Sequence, residues 1–92
     1  MKECFDQLGK LIRDSREKAN ISQLELSQKL GYGSAQFISL IERGVSRVPI
    51  ITLGKLIILL NIPEKKVVKL LINAYHDEVM AAINEGKSEV QK

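Results

Sequence analysis

The 92-residue sequence has one cysteine, two prolines and no tryptophan. With Cys4 alone, it cannot form an internal disulfide or a cysteine-rich zinc site. No apolar run approaches the roughly 20 residues that a membrane-spanning helix needs, and the longest runs only from Leu56 to Leu60. The first residues are too acidic and too poor in apolar side chains for a signal peptide, so we expect a cytoplasmic protein.

The composition is that of one small globular domain. Hydrophobic residues make up 45% and charged residues 27% of the chain, which can build a single modest core. The formal net charge of +3 permits a polyanionic partner without requiring one. A DNA-binding surface would depend on where the basic residues lie.

The spacing of apolar residues predicts an all-α fold, since β-branched residues never alternate cleanly with polar ones. Asp6 is a candidate cap for the first helix, and Pro49 and Pro63 fall where later helices should begin. Residues from Gly86 to Lys92 read as a frayed polar tail. The expected helices cover about 7–19, 23–30, 35–43, 51–60 and 64–85.

The second and third helices have the sequence features of a helix-turn-helix unit. Ser22 and Glu25 form a capping box that predicts a helix starting at Gln23, and Gly31 predicts its end. A short connector follows, and Ser34 is a candidate N-cap for the third helix. Two short helices joined by a glycine-containing turn are typical of this unit.

Several short motifs occur in one consistent order: Leu8-Gly9 with Ile12 and Arg16, Ile21-Ser22-Gln23, Leu26-Ser27, Leu30-Gly31, Ile38, Ile41-Glu42-Arg43-Gly44, and Pro49 with Leu53, Leu56 and Leu60. Together they resemble the Cro/repressor (XRE-type) helix-turn-helix family over residues 8–62. The resemblance implies a five-helix, lambda-repressor-like domain with an extended C-terminal helix. Ser27 replaces the family's usual alanine, and the stretch from Gly31 to Ile38 is one residue longer than the common form.

The resemblance also implies roles for individual residues. Arg16 and Glu42 should form a buried ion pair that fixes orientation, the alternative being a solvated Glu42. The third helix should enter the major groove, where the Gln36 amide could pair with adenine. Gln23 should contact the DNA backbone, the alternative being a solvated first-turn residue, and the two arginines after the third helix could neutralise phosphates. The candidate DNA-binding residues are Gln23, Ser34, Ala35, Gln36, Phe37, Ser39, Leu40, Arg43 and Arg47.

Some of these residues have ordinary structural alternatives. Ser34 could act only as an N-cap, and Phe37 could pack into the core instead of touching a thymine methyl group. Arg43 and Arg47 could be solvated surface residues, although Arg47 could also reach the minor groove. Lys10, Lys18, Lys29 and Lys55 are read as solubilising charges.

The last predicted helix carries an apolar stripe beyond the needs of a small core. Pairing with the same helix of a second chain would bury it, whereas the alternative is that the helix folds back on its own domain. A homodimer on a two-fold operator also suits a protomer with few basic residues. We therefore divide the chain into a DNA-binding domain (1–62), a dimerisation helix (63–85) and a flexible tail (86–92), with Ile72, Tyr75, Val79 and Ile83 at the dimer contact.

No arrangement of residues indicates an enzyme, a metal site or a cofactor. His76 has no second ligand or nucleophile at a recognisable spacing. The sequence predicts a transcription regulator, a repressor in particular, that binds double-stranded DNA on the nucleoid. The alternative is an antitoxin-like or adaptor protein whose apolar residues, including Leu24, Phe37 and Leu40, bind a protein partner.

Overall fold

The computed structural model describes residues 2–91, and all the regular secondary structure among them is helical. This confirms the all-α prediction with five helices. None of the described helices combines the length and the apolar character needed to cross a membrane. The helices are α1 (Lys2–Lys18), α2 (Gln23–Lys29), α3 (Gln36–Glu42), α4 (Ile50–Leu60) and α5 (Glu64–Val90).

Helix α1 starts earlier than predicted. The sequence suggested a start near Gln7 with Asp6 as the cap, but the helix already begins at Lys2 and Asp6 lies inside it. No proline or glycine interrupts the first residues, and Cys4 is buried one turn before Leu8. The buried stripe of α1 therefore extends toward the N-terminus with helical spacing, and the prediction of Asp6 as a cap was wrong.

The predicted capping box of α2 is confirmed. The Glu25 backbone amide donates to Ser22 Oγ at 3.0 Å, and the Ser22 backbone amide donates to the Glu25 carboxylate at 3.2 Å. After α2 the chain turns at Gly31, whose φ of +90° lies in the left-handed region that suits glycine. Local signals thus fix both ends of this short helix: a capping box at its start and a glycine in the left-handed conformation after its end.

The core joins the first four helices to the start of α5. Leu8 and Ile12 of α1 pack with the buried residues of the helix-turn-helix unit and of α4. The core also includes Val67, which lies beyond the boundary at residue 62 that the sequence suggested. The buried members are Leu8, Ile12, Leu26, Ile38, Ile41, Leu53, Leu56, Leu60, Ile62 and Val67.

Helices α1 and α3 approach each other closely at Gly9. A Cβ atom on this residue would clash with the Ile41 carbonyl oxygen and would lie 2.8 Å from that of Glu42. Glycine is required here because any side chain would push α3 away from α1. The close approach sets the position of the last turn of α3.

Helix α5 is longer than predicted. It continues through Gly86 to Val90, so residues 86–90, which the sequence predicted to be a frayed tail, are helical, and Lys92 lies outside the described residues. No proline interrupts this stretch, and an isolated glycine is tolerated within a helix. The molecule is elongated, with principal extents of 54 × 25 × 19 Å.

Candidate nucleic-acid interface

The α2–turn–α3 unit has the two-helix arrangement that the sequence predicted. Residues 30–35 connect the helices, and α3 starts at Gln36. The additional residue of this chain is therefore taken up by the turn. Ser34 is not the N-cap, as Ala35 holds that position, but Ser34 Oγ accepts a hydrogen bond from the Gln36 backbone amide at 3.4 Å.

An aromatic residue of the turn stacks on an aromatic residue of α3. The rings of Tyr32 and Phe37 lie 4.3 Å apart between centroids, with an interplanar angle of 27°. Phe37 is half-buried against the core, whereas Tyr32 is exposed. The sequence left Phe37 between core packing and DNA contact; its ring packs partly against the core and stacks on Tyr32, and a DNA contact stays a prediction. Tyr32 was not among the predicted site residues, although it is one of only four aromatic residues in the chain.

The outward face of α3 carries four of the predicted residues. Gln36, Ser39, Leu40 and Arg43 follow the spacing i, i+3, i+4 and i+7, which places them along one face of a helix. Gln36 and Arg43 are exposed, and the two residues between them are half-buried. The opposite face contains Ile38 and Ile41, both buried in the core. From start to end, this face therefore presents the amide of Gln36, the small side chain of Ser39 beside Leu40, and the guanidinium of Arg43.

A hydrogen-bonded cluster ties α1, α2 and α3 together. Glu42 accepts from Arg16 Nε at 2.7 Å and from Arg16 Nη2 at 3.1 Å, so the predicted ion pair is present. Gln23 Nε2 donates to Glu42 Oε1 at 3.0 Å. Arg16 Nη1 also donates to the Ile21 carbonyl oxygen at 2.9 Å. The start of α2 therefore lies beside the end of α3.

The cluster is largely removed from solvent. The Glu42 side chain is 2% exposed and the Arg16 side chain 13% exposed. The hydrogen bonds with Glu42 raise the pKa of the Arg16 guanidinium further above its already high ordinary value, so this group stays charged. The sequence predicted the ion pair but not the Gln23 contact, because nothing in the sequence shows that a side chain at the start of α2 reaches the end of α3.

The loop after α3 holds its two arginines differently. Arg43 Nε donates to the Ser39 carbonyl oxygen at 3.3 Å, so its guanidinium lies along its own helix. The Arg47 guanidinium lies over the ring of Phe5, 5.3 Å from the ring centroid, in a cation–π contact with α1. Both residues remain exposed. Each could therefore reach a phosphate without leaving a buried site.

The electrostatics of α3 suit a negatively charged partner. Glu42 is the only carboxylate of the helix, and Arg16 neutralises it away from the surface. The exposed residues of α3 thus carry no negative charge, while Arg43 and Arg47 add positive charge beside them. A phosphate backbone would meet attraction rather than repulsion here.

The predicted dimerisation residues all lie on the free surface of α5. Ile72 is 61% and Tyr75 65% exposed, and Val79 and Ile83 are also exposed. The face of α5 that lies along the start of α1 is a different one and includes Leu70, Asn73, Ala74, Asp77 and Ala81. The alternative in which the stripe folds back on its own domain therefore does not describe this structure.

Two short helices joined by a tight turn, packed on α1 and α4, define a helix-turn-helix domain. The Helix-turn-helix family model matches residues 12–67, which covers the unit and the core around it. The chain belongs to this family, in its Cro/repressor (XRE) branch of DNA-binding regulators. No curated protein matches the chain, and neither does any solved structure.

Proposed function

We propose that the protein is a sequence-specific transcription regulator, a repressor in particular, that binds a two-fold operator on the nucleoid as a homodimer. The observation that carries this proposal is the outward face of α3, which carries no free negative charge because the helix's only carboxylate is neutralised internally, and which ends at the exposed Arg43. Such a face, on the second helix of a helix-turn-helix unit, suits the major groove of DNA.

The proposed DNA contacts are of two kinds: contacts to base edges, which read the sequence, and contacts to phosphates, which position the protein on the DNA. Gln36, at the exposed start of α3, would hydrogen-bond to an adenine edge, since an amide can both donate and accept there. Ser34, Ala35 and Ser39 are the other candidates near base edges. Leu40 and the half-buried Phe37 would contribute apolar contacts only.

Gln23 would contact a phosphate. One Nε2 proton is held by Glu42, which leaves the second Nε2 proton free for a DNA oxygen. The Glu42 contact also reduces the rotational freedom of the side chain before DNA arrives. Arg43 and Arg47 would neutralise phosphates on either side of the same groove.

The homodimer would bury the exposed stripe of α5 residues Ile72, Tyr75, Val79 and Ile83 against the same helix of a second chain. These residues leave a large apolar surface in contact with water in the single chain. Val68, Ile72, Tyr75 and Val79 follow alternating steps of four and three residues, which is the spacing of a coiled-coil seam, and Ile83 follows one helical turn later.

Selection from a random DNA duplex library at two salt concentrations tests the proposal. We expect enrichment of an inverted repeat whose half-sites lie about one helical turn apart. Failure to enrich any sequence, with only salt-sensitive background binding, would contradict the proposal and favour the antitoxin-like or adaptor function, for which exposed Leu24 is a candidate contact.

Substitutions at Gln36 and Arg43 distinguish a residue that reads base edges from one that contacts phosphates. Gln36→Ala should reduce discrimination at one base pair by about 5- to 100-fold and leave binding to scrambled DNA unchanged. Arg43→Ala should weaken binding to all sequences alike and lower the salt dependence by about one counterion. Gln28→Ala and Arg13→Ala are matched controls, since both residues are exposed and lie outside α3. Equal losses on matched and scrambled DNA would remove Gln36 from the base-reading set.

A further inference from the structure

The outer face of α4 is apolar and uncovered. Ile51 and Ile58 are 77% and 78% exposed, and with Leu59 they form the walls of a shallow groove. Gly54 lies in the groove, and no other part of the described chain comes within 4 Å of the position its Cβ would occupy. An exposed apolar face of this kind is suited to packing against another helix.

The lining of the groove is basic. Lys29 of α2 and Lys55 of α4 both line it, and none of the lining residues is acidic. The sequence suggested only a solubilising role for these lysines, but together they give the groove a distinct charge. The matching occupant is a helix with an apolar stripe and an acidic edge.

The C-terminal turns of α5 have this pattern. Ile83 and Val90 are exposed on the stripe face, and Glu85 and Glu89, one helical turn apart, lie along one side of the stripe, with Lys87 on the other side. The first turns of α5 carry Glu64 followed by Lys65, Lys66 and Lys69, so they are basic overall.

We propose that the acidic end of α5 from a second copy docks in the α4 groove, with the two α5 helices antiparallel. This inference rests on the homodimer part of the proposed function. Antiparallel pairing places the acidic end of each helix beside the Lys-rich start of the other, so both charge patterns are matched. Along the chain the α4 groove lies close to the start of α5, because only residues 61–63 separate the two helices. Both uncovered apolar faces are then buried in one symmetric contact.

A charge exchange across the proposed contact tests it, with the dimer dissociation constant measured by sedimentation equilibrium in the absence of DNA. The lysine variant, Lys29→Glu with Lys55→Glu, should raise this constant about tenfold, as should the glutamate variant, Glu85→Lys with Glu89→Lys. The quadruple variant should dimerise more tightly than the glutamate variant, because the ion pairs with the groove re-form with reversed signs. All four side chains are exposed, so the variants should fold, which far-UV circular dichroism checks.

The control reverses two exposed lysines of α1, Lys10 and Lys18, and should leave the dimer constant unchanged. A lysine variant that dimerises within about threefold of wild type overturns the groove docking and leaves α5 pairing intact. Losses that add in the quadruple variant, instead of cancelling, also overturn it. A wild-type chain that stays monomeric at every concentration removes this inference and the homodimer together, while the DNA selection still tests DNA binding by itself.

Discussion

Removing one partner of the Arg16–Glu42 ion pair should destabilise the fold more than removing both. Arg16→Met would leave the Glu42 carboxylate in a site where its side chain is 2% exposed, with Gln23 as its one remaining side-chain donor. Breaking a buried pair in this way costs about 3–5 kcal/mol. A chain of this length has a free energy of unfolding of about 9 kcal/mol, at roughly 0.1 kcal/mol per residue. The single substitution should therefore remove a third to a half of the stability.

Urea unfolding followed by circular dichroism measures this loss. With an m-value of about 1–2 kcal/mol per molar urea, the midpoint of Arg16→Met should fall by about 2–4 M. The double variant Arg16→Met with Glu42→Leu leaves no unpaired charge and should regain most of the loss. All variants must be compared at one protein concentration, because dimerisation would shift the midpoint. An Arg16→Met midpoint near that of wild type, or a double variant worse than both singles, would refute this reasoning.

Three further substitutions and one labelling reaction probe the packing of the domain. Ser27 is fully buried and its hydroxyl has no hydrogen-bond partner among the described residues, so Ser27→Ala should stabilise the fold by about 1 kcal/mol and raise Tm by about 4–8 °C in calorimetry; a lower Tm would contradict this. Gly9→Ala should lower the urea-unfolding stability by about 1–3 kcal/mol through the clash with α3, whereas Gly54→Ala, with open space around it, should gain about 0.8–1 kcal/mol of helix propensity. Burial raises the pKa of the Cys4 thiol, so the stability that the neutral thiol contributes should be lost as the pH rises through the raised pKa. A thiol reagent should label Cys4 far more slowly in the folded protein than in urea. Equal labelling rates would show that this part of α1 is open.

Much of the helix-turn-helix unit is predictable from sequence because its signals are local. The capping box at Ser22 and Glu25 fixes the start of α2 through two hydrogen bonds within four residues. The buried stripe of α3, Ile38 with Ile41, follows directly from helical spacing. Even the distant Arg16–Glu42 pair could be expected, but only because the family resemblance supplied both ends.

The features that the sequence did not predict depend on tertiary contacts. Nothing local marks Lys2 as the first residue of α1, since the buried position of Cys4 depends on contacts beyond its own helix. In helix α4 the helical spacing does indicate the inner face, and Leu53, Leu56 and Leu60 are all buried. Whether another part of the chain covers the outer residues, Ile51 and Ile58, depends on tertiary contacts, and both are exposed.

Operator spacing and the dimer contact should be coupled. An α5 helix of 27 residues is about 40 Å long, close to the roughly 34 Å that separates the centres of two half-sites. If the α4 groove holds the second copy, the lysine variant Lys29→Glu with Lys55→Glu should lose affinity for an inverted repeat about tenfold while binding a single half-site like wild type. Fluorescence anisotropy with the two duplexes measures both affinities, and the Lys10→Glu with Lys18→Glu control accounts for the change in net charge. A lysine variant weakened equally on both duplexes would mean that these lysines act on DNA directly and that the dimer contact lies elsewhere.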